Sequence, residues 1–279
     1  MAITINSNSS ALAVSQLGRS QKNLASSLEK IASGRRINKA SDDAAGMVIA
    51  DSLTTQARGM GQALRNANDA VSMAQVADSA LAQSTTLVQS IREKAVQAAN
   101  ASHSTESRQA LQKEVNASLD QLDKIAENTK YNGQQLLSGT FSGKEIQVGA
   151  NSGETMKLSI PSAETNTLGS PTVGTLSEVS VLSQESAQDA IKIADAALAQ
   201  INAARADIGS TQTQLSSTIN NLTASGSNLL AAASRIADVD LAEETINFTT
   251  MKVLTEAKSF ALAQAKNMNK QNVLSLLQG

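Results

Sequence analysis

The sequence predicts a mainly α-helical protein, a long antiparallel helical bundle or coiled coil formed by the N- and C-terminal segments, with a small β-hairpin region in the middle. Apolar residues make up 41% of the 279 residues, yet only four residues are aromatic and two are proline. Small and straight-chain apolar side chains suit narrow seams between helices, and alanine is the best helix former. Apolar residues also recur at alternating steps of three and four, which is the spacing of a helical seam.

Charge and composition exclude several classes of protein. The net charge is −2, with 23 basic and 25 acidic residues spread evenly, so we expect no nucleic-acid partner. No run of apolar residues is long enough to span a bilayer, and we expect no membrane insertion. The first ten residues are polar and differ from a conventional secretory signal. Cysteine is absent, so neither a disulfide nor a thiolate metal site is predicted.

The first predicted helix begins near the amino terminus, and Gly34 suits its end. Its seam alternates steps of three and four through Val14, Leu17, Gln21, Leu24, Leu28 and Ile31. A second, long helix is predicted after Ser41, which can cap its start, while Asp42 and Asp43 favour its positive end. Its seam is Met60, Leu64, Ala67, Val71, Ala74, Asp78, Leu81, Thr85, Val88, Arg92, Ala95 and Ala99.

A third helix is predicted from about Glu106 to Asn128, and turn residues at 131–133 stop it. The pattern then changes to alternation at Ile146 and Val148 and again at Met156 and Leu158, with a turn at 151–153, which predicts a β-hairpin. The residues around Pro161 and Pro171 are predicted to form loop or edge structure until helix resumes near Ser183.

The most regular helical pattern runs from Ala187 to Ile236. Its seam is Ala187, Ile191, Ala194, Leu198, Ile201, Arg205, Ile208, Gln212, Leu215, Ile219, Leu222, Gly226, Leu229, Ala233 and Ile236. Such a helix is roughly 75 Å long and needs partner helices of matching length. A last helix is predicted after Asp240, because Asp240 and Glu243 have capping-box spacing. Its stripe contains Met251, Leu254, Ala261, Leu262, Ala265, Met268, Val273, Leu274, Leu276 and Leu277.

The sequence contains no recognisable motif of a catalytic or metal site. His103 is the only histidine, so no histidine pair can bind zinc, and a solvated loop residue is the expected role. No glycine-rich phosphate loop with a following lysine is present. Asp42 and Asp43 are adjacent, so their side chains diverge on a helix, and capping is favoured over catalysis. We therefore predict no enzyme activity, no metal and no cofactor.

Four motifs resemble those of bacterial flagellins, in the same order along the chain. The segment 33–46, SGRRINKASDDAAG, resembles the flagellin signature, and the segment 147–151, QVGAN, resembles the flagellin hairpin motif. The segment 234–240, SRIADVD, is similar to the carboxy-terminal junction, and 271–277, QNVLSLL, is similar to the end. The likeness covers about residues 1–150 and 180–279.

The resemblance implies a filament subunit with a specific layout. Residues 1–46 and 236–279 would form an inner-tube coiled coil with its spoke, and residues 47–235 an outer layer of long helices with a hairpin near 140–182. The short middle segment implies a form without outer variable domains. Subunit packing is expected at Val14, Leu17, Leu24, Leu28, Ile31, Met251, Leu254, Leu262, Met268, Leu274 and Leu277. The spoke is expected to use Arg35, Arg36, Asn38, Ser41, Asp42 and Asp43.

The resemblance also implies partners and a location. The subunit would pass unfolded through the flagellar export apparatus, with a secretion chaperone on its last helix, and would fold outside the cell beneath a filament cap. We expect both ends to order only on assembly, because a monomer leaves their apolar stripes unpaired. A hook–filament junction (hook-associated) protein is the nearest alternative, and an intracellular coiled-coil scaffold is a third.

One further implication concerns an innate immune receptor. Flagellins are bound by toll-like receptor 5 through the segment that matches residues 89–95, together with the residue that matches Glu114. This chain has Ser90 where the family commonly has arginine, and Lys94 where it commonly has leucine, while Arg92 is kept. Ser90 lacks the forked hydrogen-bond donor of arginine, and Lys94 places a charge in an apolar contact. Both changes predict weakened activation of the receptor. The competing interpretation is that this face packs against a neighbouring subunit.

Overall fold

The computed structural model describes the backbone of residues 7–277 and the side chains of 11–268 and 270–271. The helices are α1 (Ser7–Ser33), α2 (Ala44–Ala98), α3 (Thr105–Asn128), α4 (Gln184–Ala237) and α5 (Leu241–Leu277). The strands are β1 (Lys130–Tyr131), β2 (Gln134–Gln135), β3 (Lys144–Gln147), β4 (Thr155–Leu158), β5 (Gly169–Ser170) and β6 (Gly174–Thr175). A short 3₁₀ helix spans Leu176–Glu178. The predicted mainly α fold with a small β region is confirmed.

The chain divides into two compact units. The terminal unit contains Met1–Thr55 and Asn228–Gly279, and the central unit contains Gln56–Ser227. Helices α2 and α4 each contribute to both units. Within the described helices, none is long and apolar enough to cross a membrane.

The core of the central unit lies along the predicted seams. All the seam positions of α2 and α4 are buried or half-buried. Helix α2 buries a further column of residues spaced by seven, Ala63, Ala70, Ala77, Ser84, Ile91 and Ala98. A buried face of this width can cover more than one neighbouring element, and small side chains let those neighbours approach closely.

Two of the polar residues that interrupt the seams contact each other. Asp78 of α2 accepts a hydrogen bond from Nε of Arg205 of α4 at 2.8 Å, and both side chains are about a third exposed. Arg92 of α2 donates to Asp195 of α4 at 2.5 Å. Because the partner number falls as the α2 number rises, the two helices run antiparallel.

Three antiparallel strand pairs connect α3 to α4. The β1–β2 loop consists of Asn132 and Gly133, with φ of 49° and 79°, which is the type I′ geometry that this dipeptide favours. The predicted hairpin is the β3–β4 pair, which pairs Lys144 with Leu158 and Gln147 with Thr155. Asn66 of α2 donates to the carbonyl of Gln147 at 3.0 Å, and this bond attaches the hairpin to the helix.

Long-range side-chain hydrogen bonds fix the segment between the hairpin and α4. Asp123 accepts from both the amide and the hydroxyl of Thr165 at 2.9 Å. Gln112 donates to the carbonyl of Val179 and accepts from the amide of Val181. These side chains satisfy buried backbone groups that no sheet supplies.

Candidate functional site

The terminal unit contains an antiparallel pair formed by α1 and α5. Ser27, only 2% exposed, donates to Glu244 at 2.5 Å, and Lys258 donates to Ser20 at 2.7 Å. The sequence-predicted packing residues fall into three groups. Leu17, Leu24, Ile31, Met251 and Leu262 are half-buried, whereas Val14, Leu28, Leu254 and Met268 are exposed. Leu274 and Leu277 lie outside the residues whose side chains are described.

Helix α5 exposes a second apolar stripe that the sequence analysis missed. Ile246, Val253 and Phe260 are all exposed, and Phe260 is 75% exposed. Their spacing of seven is the signal that could have found them, because residues seven apart lie on one side of a helix. The predicted stripe of α5 took in residues from several faces and therefore hid this column.

An apolar groove of about 400 Å³ runs between α1 and α5. Its lining includes Gln21, Leu24, Ala25, Leu28, Phe248 and Lys252. The groove belongs entirely to the terminal unit. It offers apolar surface that neither helix of the pair covers.

The segment between α1 and α2, residues 34–43, makes up most of the predicted spoke (residues 34–46), and an acidic side chain organises its turn. Oδ2 of Asp42 accepts from the backbone amides of Asn38 and Lys39 at 3.1 and 3.0 Å. Both bonds lower the pKa of Asp42, and the bond from Lys39 has the larger effect. The bond to Glu29 at 2.6 Å is the main cause that raises the pKa of Lys39.

Of the residues predicted to cap α2, Ser41 lies two residues too early and is exposed, whereas Asp43 directly precedes Ala44, the first residue of the helix. Oδ1 of Asp43 accepts from the amide of Gly46 at 2.8 Å. Asp43 takes the role because its carboxylate both satisfies a free amide and carries the charge that the helix amino end favours.

A short backbone bridge fastens the spoke to the junction between α4 and α5. Arg35 and Asp238 form an antiparallel β-bridge. The amide of Arg36 donates to the carbonyl of Ala237 at 2.7 Å, and its guanidinium donates to that of Ile236 at 2.6 Å. Asn38 donates to Ser33 at 2.8 Å. The two signature segments that lie far apart in sequence are therefore held together.

The residues of the predicted receptor segment lie in the central unit. Lys94 of α2 forms an ion pair with Glu114 of α3. Arg92 is engaged by Asp195, and Ser90 is half-buried. All three charged residues that the resemblance implicates, Arg92, Lys94 and Glu114, are thus paired within the chain.

No candidate metal cluster emerges from the part of the chain that the structure describes. Within it, no group of three His, Cys, Asp or Glu side chains could hold a metal ion. His103 is half-buried in the α2–α3 connection, where its amide donates to the carbonyl of Asn100 at 3.3 Å.

Apolar exposure is concentrated in the terminal unit. Of the fifteen exposed large apolar side chains among the described residues, twelve belong to it, while only Ile37, Ala50 and Ala233 represent it in the buried apolar core. Exposed apolar surface on this scale marks an association surface. Fold and surface together define a helical structural subunit that associates with other chains.

The comparisons with known proteins agree with this class and define the family. Residues 5–142 match the bacterial flagellin N-terminal helical region, and residues 191–277 match the bacterial flagellin C-terminal helical region. The chain is 37% identical to the flagellar filament 33 kDa core protein of Treponema phagedenis over 98% of this chain and 99% of that protein. The chain belongs to the bacterial flagellin family.

Other relatives differ in length. Flagellin B of Helicobacter pylori is 50% identical over 143 residues, which are 51% of this chain and 28% of that longer protein. The crystal structure of Bacillus cereus flagellin matches with a TM-score of 0.49 at 32% identity, covering 61% of this chain and 94% of that one.

Proposed function

We propose that this chain is a structural subunit that polymerises with copies of itself into a bacterial flagellar filament. The observation that carries the proposal is the uneven exposure of apolar side chains, because twelve of the fifteen exposed ones belong to the terminal unit. Burying them against further copies removes apolar area from water at about 25 cal/mol per Å². The full-length likeness to the Treponema phagedenis filament core protein supports the same role.

We assign parts of the chain to this role as follows. Residues 1–46 and 236–279 form the inner tube and spoke, and residues 47–235 form the outer layer. Half-buried residues such as Leu24 and Met251 hold α1 against α5, while exposed ones such as Leu28 and Leu254 contact neighbouring copies. We infer that the role is structural and not catalytic, in line with membership of the flagellin family.

Polymerisation of the purified protein tests the proposal directly. The chain is purified as a monomer, concentrated with a precipitating salt, which strengthens apolar association, and imaged by electron microscopy. We expect long tubular filaments. A protein that remains monomeric at all salt concentrations contradicts the proposal.

A hook-associated protein is the alternative, since it shares the plan of paired ends. The full signature at 33–46 and the flagellin relatives favour the filament subunit. Sheared filaments separate the two roles, because a filament subunit is their main protein and a junction protein is present in only a few copies.

Export and folding form the next part of the proposal. We infer that the chain leaves the cell through the flagellar export apparatus, with a secretion chaperone on α5, and assembles outside the cell beneath a filament cap, next to the hook-associated proteins. The exposed apolar side chains of α5 are what such a chaperone would cover. Amide hydrogen exchange should show little protection at 11–33 and 241–271 in the monomer and strong protection in filaments. Strong protection in a confirmed monomer would contradict this.

Recognition by toll-like receptor 5 is proposed to be weak. The ion pair between Lys94 and Glu114 occupies the acidic side chain that a receptor would contact, and Ser90 offers no forked donor. In a receptor reporter assay we expect the double variant S90R/K94L to raise potency by at least about tenfold, which corresponds to about 1.4 kcal/mol. Lys124→Leu is the matched control on α3. Full potency of the unmodified protein would overturn the proposal.

A further inference from the structure

Helix α5 carries two apolar stripes on opposite sides. Met251 and Leu262 are half-buried in the pair with α1. Val253 and Phe260 each lie two residues away from one of these, which is roughly 200° round the helix, and both are exposed. One side of α5 therefore packs within the chain, while the other side is uncovered. We call the exposed column of Ile246, Val253 and Phe260 the outer stripe.

The groove between α1 and α5 is a separate surface. Leu24, Ala25 and Leu28 line it from α1, and Phe248 and Lys252 line it from α5. None of these residues belongs to the outer stripe. The terminal unit therefore presents a projecting apolar surface and a recessed apolar surface that do not overlap.

Charge is distributed unevenly along the helix pair. The half away from the spoke, residues 11–26 and 250–271, has six basic residues and one acidic residue. They are Arg19, Lys22, Lys252, Lys258, Lys266 and Lys270 against Glu256. The half of the pair beside the spoke, residues 27–33 and 241–249, has three acidic residues and one basic residue. Two copies side by side in register repel each other, whereas two copies offset along the axis attract.

Resting on the proposed self-assembly, we propose that the outer stripe of one copy seats Phe260 in the α1–α5 groove of the next copy. Phe260 lies closer to the basic end than the groove does. Seating it therefore moves the basic half of one copy towards the acidic half of its neighbour, which is the direction that the charges favour. Phe260 is the anchor because it is the most exposed large apolar side chain of the described residues.

The contact is heterologous, since the two surfaces are different parts of the same unit. A contact of this kind leaves a free stripe on one copy and a free groove on the other. It can therefore repeat from copy to copy, and it gives an open helical polymer when the rotation between successive copies does not close a ring. An isologous contact would instead stop at two copies.

Disulfide cross-linking within assembled protein tests the proposal, and the chain contains no cysteine of its own. In the double variant A25C/F260C, oxidation of filaments should give a ladder of dimers, trimers and longer cross-linked chains. A bond within one chain is excluded, because the contacts of Ser20 with Lys258 and of Ser27 with Glu244 place Ala25 roughly 15 Å from Phe260 along α5. The variant A25C/L182C, with an exposed residue of the central unit, is the control and should give no ladder.

A second variant tests the same contact without introducing cysteines. Phe260→Ser should raise the critical concentration for polymerisation at least about tenfold, since an anchoring aromatic residue commonly contributes more than 1.4 kcal/mol. Leu182→Ser should leave it unchanged. Cross-linking that stops at dimers, filaments without cross-links, or an unchanged critical concentration for Phe260→Ser would overturn the stripe-in-groove contact. Failure of the unsubstituted chain to polymerise would instead overturn the proposed function.

Discussion

The ion pair between Asp78 and Arg205 should fix the register of α2 against α4. Both residues occupy seam positions, and their side chains are 38% and 36% exposed. A slip of one heptad would place Leu198 or Gln212 opposite Asp78 and leave the carboxylate without its partner. A polar residue in an apolar seam specifies register in this way in coiled coils.

The magnitude follows from the exposure of the pair. Exposed pairs contribute about 0.2–1 kcal/mol, whereas breaking a buried pair costs about 3–5 kcal/mol. A pair about a third exposed lies between, so we expect Arg205→Met to lower the free energy of unfolding by about 2 kcal/mol. Methionine keeps the apolar stem of the side chain and removes only the charge. The melting temperature should fall by roughly 4–8 °C.

A double-mutant cycle isolates the pair. Urea unfolding of D78N, R205M and the double variant should give a coupling energy of about 1–1.5 kcal/mol. The control is the same cycle on Arg92 and Asp195, whose side chains are 43% and 51% exposed, where we expect about 0.5 kcal/mol. A coupling below about 0.3 kcal/mol, or equal values for the two pairs, would refute the reasoning.

Two further predictions concern the spoke. In assembled filaments, Gly46→Ala should destabilise the terminal unit by about 1–3 kcal/mol, because its Cβ would clash with the carboxylate of Asp43 and lie 2.9 Å from Cδ1 of Ile37. Gly18→Ala, whose Cβ would have nothing within 4 Å, should stabilise α1 by about 0.5–1 kcal/mol, and calorimetry of the filaments compares the two. The pKa of Asp42 is lowered by its backbone bonds, so its contribution is full above about pH 4 and is lost as the pH falls through the folded pKa. The protection factors of the amides at 38–39, which correct for the intrinsic pH dependence of exchange, should fall in that acid range. They should not change with pH in Asp42→Asn, which keeps an acceptor without titrating, and constant protection in the unsubstituted chain would contradict this.

The sequence predicted the helices well because their signal is periodic and local. The whole heptad seam from Ala187 to Ile236 lies within α4, and no seam position is exposed. The Asn132–Gly133 turn was also predicted, but only as the end of the third helix. The sequence analysis did not predict that it is the loop of the β1–β2 hairpin. In both cases the information lies within a few neighbouring residues.

Long-range polar contacts could not be read in the same way. The hydrogen bonds between Asp123 and Thr165 and between Gln112 and Val181 join residues more than forty positions apart, and no spacing rule predicts them. The spoke was located from its motif, but the choice of Asp43 over Ser41 as the cap depends on where the chain turns. The outer stripe was missed because α5 has apolar residues on most of its sides.

The two units use their apolar side chains differently. The central unit closes much of its core with alanine columns, which bring helices close together within one chain. The terminal unit leaves many of its larger apolar side chains exposed, Phe260 among them. Each such side chain contributes about 1.5–3 kcal/mol only when it is fully buried. We therefore expect the terminal helices to gain much of their stability from neighbouring copies, so that assembly and ordering of this unit would be coupled.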